Sequence, residues 1–290
     1  MRWVPAQLPE GAEFLELPRG RVRFQVAGPV EGAPVALVHG LSYPLEVWSS
    51  LFTHLVSRGF RVCRFDLWGR GLSDFRGEAL STQALSDQLI AVLDAVGLRA
   101  ASHWVSLSNA DLVVTHSAAA HPERVKSLVM LAPSGLDGRT RGTALRWLGK
   151  TALVGSLWEQ PLRRRFLARM ESHRAHLPGT CPPESRAAYE FSIRTVKESP
   201  VFAKAALSQM VNQSSERDFR ATLARLAKSP LPVTAVHFRD EYETSRDGAE
   251  VFAQALPALS TQVLDGTHMG LLEAPDAVNA CVETALRAAP

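Results

Sequence analysis

The chain has 290 residues, of which 46% are hydrophobic and 21% are charged, so its composition is that of a folded globular protein and excludes a disordered chain. Its net charge of +3 is the small difference between 32 basic and 29 acidic residues, which gives no support for nucleic-acid binding. No apolar run reaches the roughly 20 residues that a membrane helix needs, and the N-terminus lacks a signal-peptide pattern. Three widely spaced cysteines form no C-x-x-C pair. We therefore expect a cytoplasmic protein with no structural metal.

Short apolar runs alternate with longer stretches of helical period along the first half of the chain. The predicted elements in chain order are strands at residues 21–27 and 34–38, a helix that ends at Gly59, a strand at 61–65, a helix at 84–96, a strand at 102–107, a helix at 111–120 and a strand at 126–131. Parallel strands need such helical crossovers. This order predicts an α/β fold, with a mostly parallel sheet flanked by helices.

The alternation stops after Pro133 and resumes near residue 220. Between these points, residues 137–219 contain helical segments but no convincing strand. Beyond them the sequence predicts a strand at 232–238, a helix at 249–256, a strand at 261–264 and a helix at 275–287. We therefore expect one sheet domain formed by residues 1–136 and 220–290, interrupted by a helical lid at 137–219.

The predicted lid is rich in arginine. Arg163, Arg164 and Arg165 stand beside apolar residues, a pattern that predicts a helix with one basic and one apolar side. The simplest interpretation is a solvated face, while contact with a membrane or lipid interface stays open. Its larger apolar residues are expected to form lid core or pocket wall; these are Trp147, Leu148, Leu153, Val154, Leu157 and Trp158.

Three kinds of side chain suited to acyl transfer follow three of the predicted strands. Ser108 lies between the strand at 102–107 and the next helix, His268 follows the last strand, and Asp240 and Glu241 follow the strand before it. The carboxyl ends of parallel strands share one edge of a sheet, where loops carry functional residues. A serine in a loop is by itself only a polar turn residue, but the order serine, acid, histidine predicts a nucleophile, an orienting acid and a base.

Three further segments carry a family resemblance: V-H-G-L at residues 38–41, D-L-W-G-R-G-L-S-D at 66–74 and H-P-E-R-V at 121–125. With the serine, acid and histidine in order, the chain resembles the α/β hydrolase fold family, in particular its lipase- and esterase-like members with a helical lid. The resemblance implies an oxyanion hole formed by the backbone amides of Leu41 and Asn109. His39 is interpreted as a structural hydrogen-bonding residue, and Asp66 and Asp74 as residues that shape their loop.

The chain departs from the family at the serine turn. The family's usual G-x-S-x-G pattern, with another glycine following, is replaced here by Ser106, Ala110 and Asp111. Ser106 and Ala110 are small enough for a sharp turn, although only glycine is free of steric cost there. A carboxylate at Asp111 near an oxyanion hole opposes the charge being stabilised. We therefore expect Asp111 to point away from the hole or to be paired.

The orienting acid is either of two adjacent residues. Counting from Pro257 selects Glu241, whereas counting back from His268 selects Asp240, and the glycine that the family places before the acid is Phe238 here. We prefer Glu241, because its count runs through an uninterrupted helix. If neither residue serves, Asp137 is the next candidate.

These residues predict a serine hydrolase without a cofactor. It is expected to cleave a carboxylic ester of small or medium size and largely apolar character through an acyl-enzyme. A serine nucleophile argues against the dehalogenase and epoxide hydrolase chemistry of this fold, which uses an aspartate. A carbon–carbon bond hydrolase with the same triad and a catalytically silent ligand-binding relative stay open as alternatives.

Overall fold

The computed structural model describes residues 12–134, 152–213, 216–241 and 246–289. One eight-stranded sheet runs through it in the order β1-β2-β4-β3-β5-β6-β7-β8. The strands are β1 (Glu13–Leu17), β2 (Gly20–Ala27), β3 (Pro34–Val38), β4 (Arg61–Phe65), β5 (Ser102–Leu107), β6 (Val125–Leu131), β7 (Val233–Phe238) and β8 (Ser260–Leu264). Only β2 pairs antiparallel, with β1 and β4, and the other pairs are parallel. The predicted α/β fold with a mostly parallel sheet is confirmed.

Ten α-helices lie within the described residues. They are α1 (Ser49–Ser57), α2 (Thr82–Ala95), α3 (Asp111–Ala120), α4 (Ala152–His176), α5 (Pro183–Glu198), α6 (Phe202–Asn212), α7 (Glu216–Leu226), α8 (Arg246–Ala255), α9 (Gly270–Glu273) and α10 (Pro275–Ala288). Short 3₁₀ turns occupy Leu45–Trp48, Ser108–Ala110 and Pro122–Arg124. No helix in these ranges is both long and apolar enough to cross a membrane.

The core consists of two apolar layers, one on each face of the sheet. Every residue of β5 is buried. Trp104 and Val105, which are consecutive residues of β5, belong to different layers, because successive side chains of a strand point to opposite faces of the sheet. Helices α2, α3, α7 and α8 contribute to the first layer, helices α1, α4, α5, α9 and α10 to the second, and α6 to both. The continuous apolar run of β3 reflects this cover on both faces.

The regular elements that the structure describes between β6 and β7 are all helices, namely α4, α5, α6 and α7. The predicted boundary at residue 219 falls inside α7, where the ring of Phe219 packs against Phe252 of α8, 5.5 Å between centroids. In α4, Phe166 and Met170 are buried while Arg164 and Arg165 are exposed, so this helix has one apolar and one basic side.

Two sequence-based expectations need correction. The side chain of Trp158 is 46% exposed, so its expected place in a lid core or pocket wall is wrong. Strand β1 was missed; it lies at the sheet edge, where Leu15 and Leu17 pack only partly buried against the first layer. Five residues of half-buried alternation at an edge give a weak strand signal. Trp147, Leu148 and Asp137 lie outside the described residues.

Candidate active site

Ser108 lies in a sharp turn between β5 and α3. Its backbone φ is 52°, a left-handed conformation that costs energy for a residue with a Cβ and persists only where the surrounding structure enforces it. The segment after β3 runs directly beside this turn. A Cβ added at Gly40 would lie 3.1 Å from the carbonyl oxygen of Leu107 and 3.3 Å from Cβ of Ser108. The glycine therefore lets the backbone before Leu41 approach the serine closely.

His268 is hydrogen-bonded to an acid. Its Nδ1 lies 2.9 Å from Oε2 of Glu241, and the two side chains are only 4% and 15% exposed. A carboxylate at Nδ1 favours the tautomer that carries the proton on that nitrogen, in which Nε2 is the acceptor nitrogen. Asp240 is exposed, and its backbone N–H donates to the carbonyl of Gly266 instead. Of the two candidate acids, the structure thus brings Glu241 to His268.

The histidine loop is held by a second carboxylate that sequence reasoning missed. Glu273 of α9 accepts hydrogen bonds from the backbone N–H of Thr267 at 2.8 Å and from its hydroxyl at 2.6 Å. Gly266 adopts a φ of 122°, which favours glycine. These contacts fix the backbone on the N-terminal side of His268.

Phe238 stands where the family has glycine, and a second glycine accommodates it. Its ring lies against the α-carbon of Gly270, where a Cβ would overlap the ring carbons. Phe238 is 3% exposed and belongs to the apolar layer that also contains Met269 and Leu271. The aromatic ring therefore packs between the strand that leads to Glu241 and the segment after His268.

His39 is the structural residue that the sequence predicted. Its Nε2 accepts a hydrogen bond from the backbone N–H of Leu67 at 2.8 Å, so Nδ1 carries the proton and donates to the carbonyl of Gly40 at 2.8 Å. Burial lowers the pKa of His39 to about 3. The neutral ring therefore ties the segment before Leu41 to the loop after β4.

Asp66 and Asp74 also have the predicted loop-shaping role. The carboxylate of Asp66 accepts hydrogen bonds from the backbone N–H groups of Leu45 at 2.7 Å and Leu72 at 2.9 Å. Asp74 accepts one from the backbone N–H of Arg21 at 3.0 Å. Both acids thus hold backbone amides around the 66–74 loop.

The unusual residues of the serine turn are all buried. Oδ1 of Asp111 accepts hydrogen bonds from the backbone N–H of Leu112 at 2.6 Å and from the hydroxyl of Ser134 at 3.3 Å. This carboxylate is therefore bonded to the first turn of α3 and to the segment after β6. The hydroxyl of Ser106 is buried and has no hydrogen-bond partner among the described residues.

A chain of buried and half-buried polar side chains links the predicted oxyanion segment to α6. Arg70 donates from Nε to the carbonyl of Leu41 at 3.1 Å, from Nη1 to the carbonyl of Trp68 at 2.7 Å and from Nη2 to Oε1 of Gln209. Gln209 donates from Nε2 to Oδ1 of Asn109 at 2.6 Å. Asn109 in turn donates from Nδ2 to Oε1 of Gln213 at 3.1 Å.

Sequence reasoning missed the glutamines of this chain. Arg70 belongs to the 66–74 motif, but Gln209 and Gln213 lie in a helical segment where no pattern distinguishes them from solvent-facing residues. Burial lowers the pKa of Arg70 to about 9, so the guanidinium is charged at neutral pH.

Comparisons with known proteins agree with this architecture. The family model described as alpha/beta hydrolase fold matches residues 33–275. A pimeloyl-[acyl-carrier protein] methyl ester esterase from Aliivibrio fischeri (strain MJ11) is 25% identical over 221 residues, covering 73% of this chain and 81% of its own.

Two solved structures illustrate the similarity of fold. A thermophilic esterase from Thermogutta terrifontis superimposes with a TM-score of 0.74 at 19% identity, covering 95% of this chain and 98% of its own. An enol-lactonase from Burkholderia xenovorans LB400 gives a TM-score of 0.71 at 16% identity, covering 95% and 100%. The chain belongs to the α/β hydrolase fold family.

Proposed function

We propose that this chain is a serine hydrolase that cleaves a carboxylic ester of small or medium size and largely apolar character through an acyl-enzyme. The observation that carries the proposal is the hydrogen-bonded pair of His268 and Glu241, which follows β8 and β7, at the sheet edge where Ser108 sits in its left-handed turn after β5. A nucleophile, a base and an orienting acid at one edge are the parts that acyl transfer needs.

The reaction has two halves. In the first, Ser108 Oγ attacks the ester carbonyl carbon while His268 Nε2 takes the hydroxyl proton, and the resulting oxyanion accepts hydrogen bonds from the backbone amides of Leu41 and Asn109. The tetrahedral intermediate collapses and His268 returns the proton to the leaving alcohol. In the second half, water gives a proton to His268 and attacks the acyl carbon. The acid is released and Ser108 Oγ regains its proton.

Glu241 stabilises the imidazolium that forms in each half. Its carboxylate is already bonded to Nδ1 in the resting arrangement, so no reorganisation is needed when the charge appears on the ring. The hydrogen bonds that Asp111 accepts from Leu112 and Ser134 support the proposed oxyanion hole. A carboxylate held by donors at the start of α3 opposes the oxyanion less than a free carboxylate does.

The substrate range is proposed from the helical segment and from the relatives. Residues 137–219 act in this proposal as a lid, and the buried Phe166 and Met170 of α4 form part of its apolar side. The esterase names of the relatives favour an ester over other acyl substrates. A covered apolar site suits an ester whose acyl or alcohol part is largely hydrocarbon.

The test is activity profiling with a fluorophosphonate probe together with hydrolysis of p-nitrophenyl butyrate. We expect wild type to be labelled and active, and Ser108→Ala to lose labelling and to lose turnover by about 10⁴-fold. Ser57→Ala, at an exposed serine that ends α1, is the matched control and should keep both activities. A wild type with neither labelling nor ester turnover favours a ligand-binding relative, and full turnover by Ser108→Ala excludes this nucleophile.

A further inference from the structure

The hydrogen-bonded chain of polar side chains from Arg70 to Gln213 has a fixed direction. A guanidinium can only donate hydrogen bonds, so the side chain of Gln209 must turn its oxygen to Arg70. Its amide nitrogen then faces Oδ1 of Asn109, and the nitrogen of Asn109 faces Gln213. Each amide orientation is thereby set by the charge at Arg70.

This network contacts both of the residues whose backbone amides form the proposed oxyanion hole. On one side Arg70 holds the carbonyl of Leu41 at 3.1 Å, which fixes the peptide that follows the Leu41 amide. On the other side Gln209 holds the side chain of Asn109 at 2.6 Å, next to the amide of the same residue. Gln209 is the single side chain that joins the two sides in this described network.

Burial makes the network costly to leave incomplete. Arg70 is 1% exposed and Gln209 is 2% exposed, so a donor or acceptor released on either of these two side chains loses a hydrogen bond without gaining water. Gln209 belongs to α6, in the helical segment between β6 and β7, whereas Arg70, Leu41 and Asn109 belong to loops of the sheet. The position of α6 is therefore coupled to the geometry beside Ser108.

We propose that Gln209 is a positioning residue that aligns the two oxyanion amides, acting on Leu41 through Arg70 and on Asn109 directly. The position of α6 against the sheet loops then sets the rate of ester hydrolysis. This inference rests on the proposed function. Loss of one oxyanion donor costs roughly 10²- to 10³-fold in kcat, so misalignment of the Leu41 and Asn109 amides should lower kcat measurably. Small misplacements of reacting groups have large kinetic consequences.

The decisive variant is Gln209→Glu. A glutamate still accepts the hydrogen bond from Arg70, but it cannot donate to Oδ1 of Asn109, and it adds a negative charge near the oxyanion. We expect kcat for p-nitrophenyl butyrate to fall about 10- to 100-fold, with KM changed less than about threefold. The thermal midpoint should change little, because the pairing of the new carboxylate with Arg70 offsets the hydrogen bond lost at Asn109. A role in stability alone would not produce that combination.

A transition-state analogue gives a second readout. Phenylboronic acid forms a tetrahedral adduct with a serine nucleophile, so its inhibition constant should weaken in parallel with kcat/KM in Gln209→Glu. Gln160→Glu, the same substitution at an exposed position of α4, is the control and should leave kcat, KM and inhibition within about twofold of wild type.

The outcomes separate the two proposals. If wild type hydrolyses esters and Gln209→Glu keeps its kcat and its boronate affinity, the positioning role is overturned and the proposed function stands. If wild type shows no turnover, the proposed function falls and this inference falls with it. Should Gln209→Glu fail to fold, Asn109→Ala removes the acceptor but keeps the backbone amide; we expect at least a fivefold loss of kcat, and an unchanged kcat overturns the inference.

Discussion

Replacing Glu241 by glutamine removes one charge from the candidate site while keeping the size and shape of the side chain. In the wild type, Oε2 of Glu241 lies 2.9 Å from Nδ1 of His268, and the pair is mostly shielded from solvent. A glutamine amide can present its nitrogen to the ring and so favour the wrong tautomer of His268. It also provides no charge to stabilise the imidazolium of the transition state.

The magnitude follows from the geometry. A hydrogen bond of this length puts the centres of the carboxylate charge and the imidazolium charge about 4 Å apart, where the attraction is about 2–4 kcal/mol at an effective dielectric of roughly 20–40. Because each 1.36 kcal/mol corresponds to a tenfold change in rate, kcat should fall about 30- to 1000-fold. The adjacent Asp240 is exposed, so Asp240→Asn should change kcat less than about threefold.

The assay is steady-state hydrolysis of p-nitrophenyl butyrate by wild type, Glu241→Gln and Asp240→Asn, with thermal unfolding of each protein as a check on folding. KM should change little, because the interaction strengthens on formation of the imidazolium and not on binding of the ester. The reasoning is refuted if the well-folded Glu241→Gln keeps more than a third of the wild-type kcat, or if Asp240→Asn proves the more damaging substitution.

Three further outcomes follow from other contacts. Burial holds the pKa of His39 at about 3, below its unfolded value near 6.5, so the unfolded chain binds an extra proton as pH falls. His39 should therefore account for about 2 kcal/mol of the stability lost between pH 7 and 5. Urea denaturation of wild type and His39→Asn measures this, and the variant should lack that part of the loss. Gly270→Ala should lower the free energy of unfolding by about 1–3 kcal/mol, since its Cβ overlaps the ring of Phe238; an unchanged thermal midpoint contradicts this packing. Ser106→Ala removes a buried hydroxyl that has no hydrogen-bond partner among the described residues, so it should raise the free energy of unfolding by about 1 kcal/mol. A lower free energy of unfolding in denaturant titration would contradict the absence of a partner for this hydroxyl.

The sequence by itself determined the sheet, and with it the places where the candidate site residues lie. The central strand β3 is covered on both faces, so its apolar run is continuous, and turn residues mark its ends. The chain order serine, acid, histidine follows from the order of the strands, because each of these residues lies in the loop that follows the carboxyl end of a different strand. Edge strand β1 escaped prediction because a short, half-buried strand has little of this signal.

Only the tertiary structure decided which acid contacts His268. Asp240 and Glu241 are neighbours in a turn, where adjacent side chains point in different directions and the sequence has no period that distinguishes them. The network of Arg70 and Gln209 is a stronger case, since these residues lie 139 positions apart and on different elements. Local pattern carries information about neighbours along the chain, whereas a buried hydrogen bond between a loop and a distant helix depends on how the elements pack.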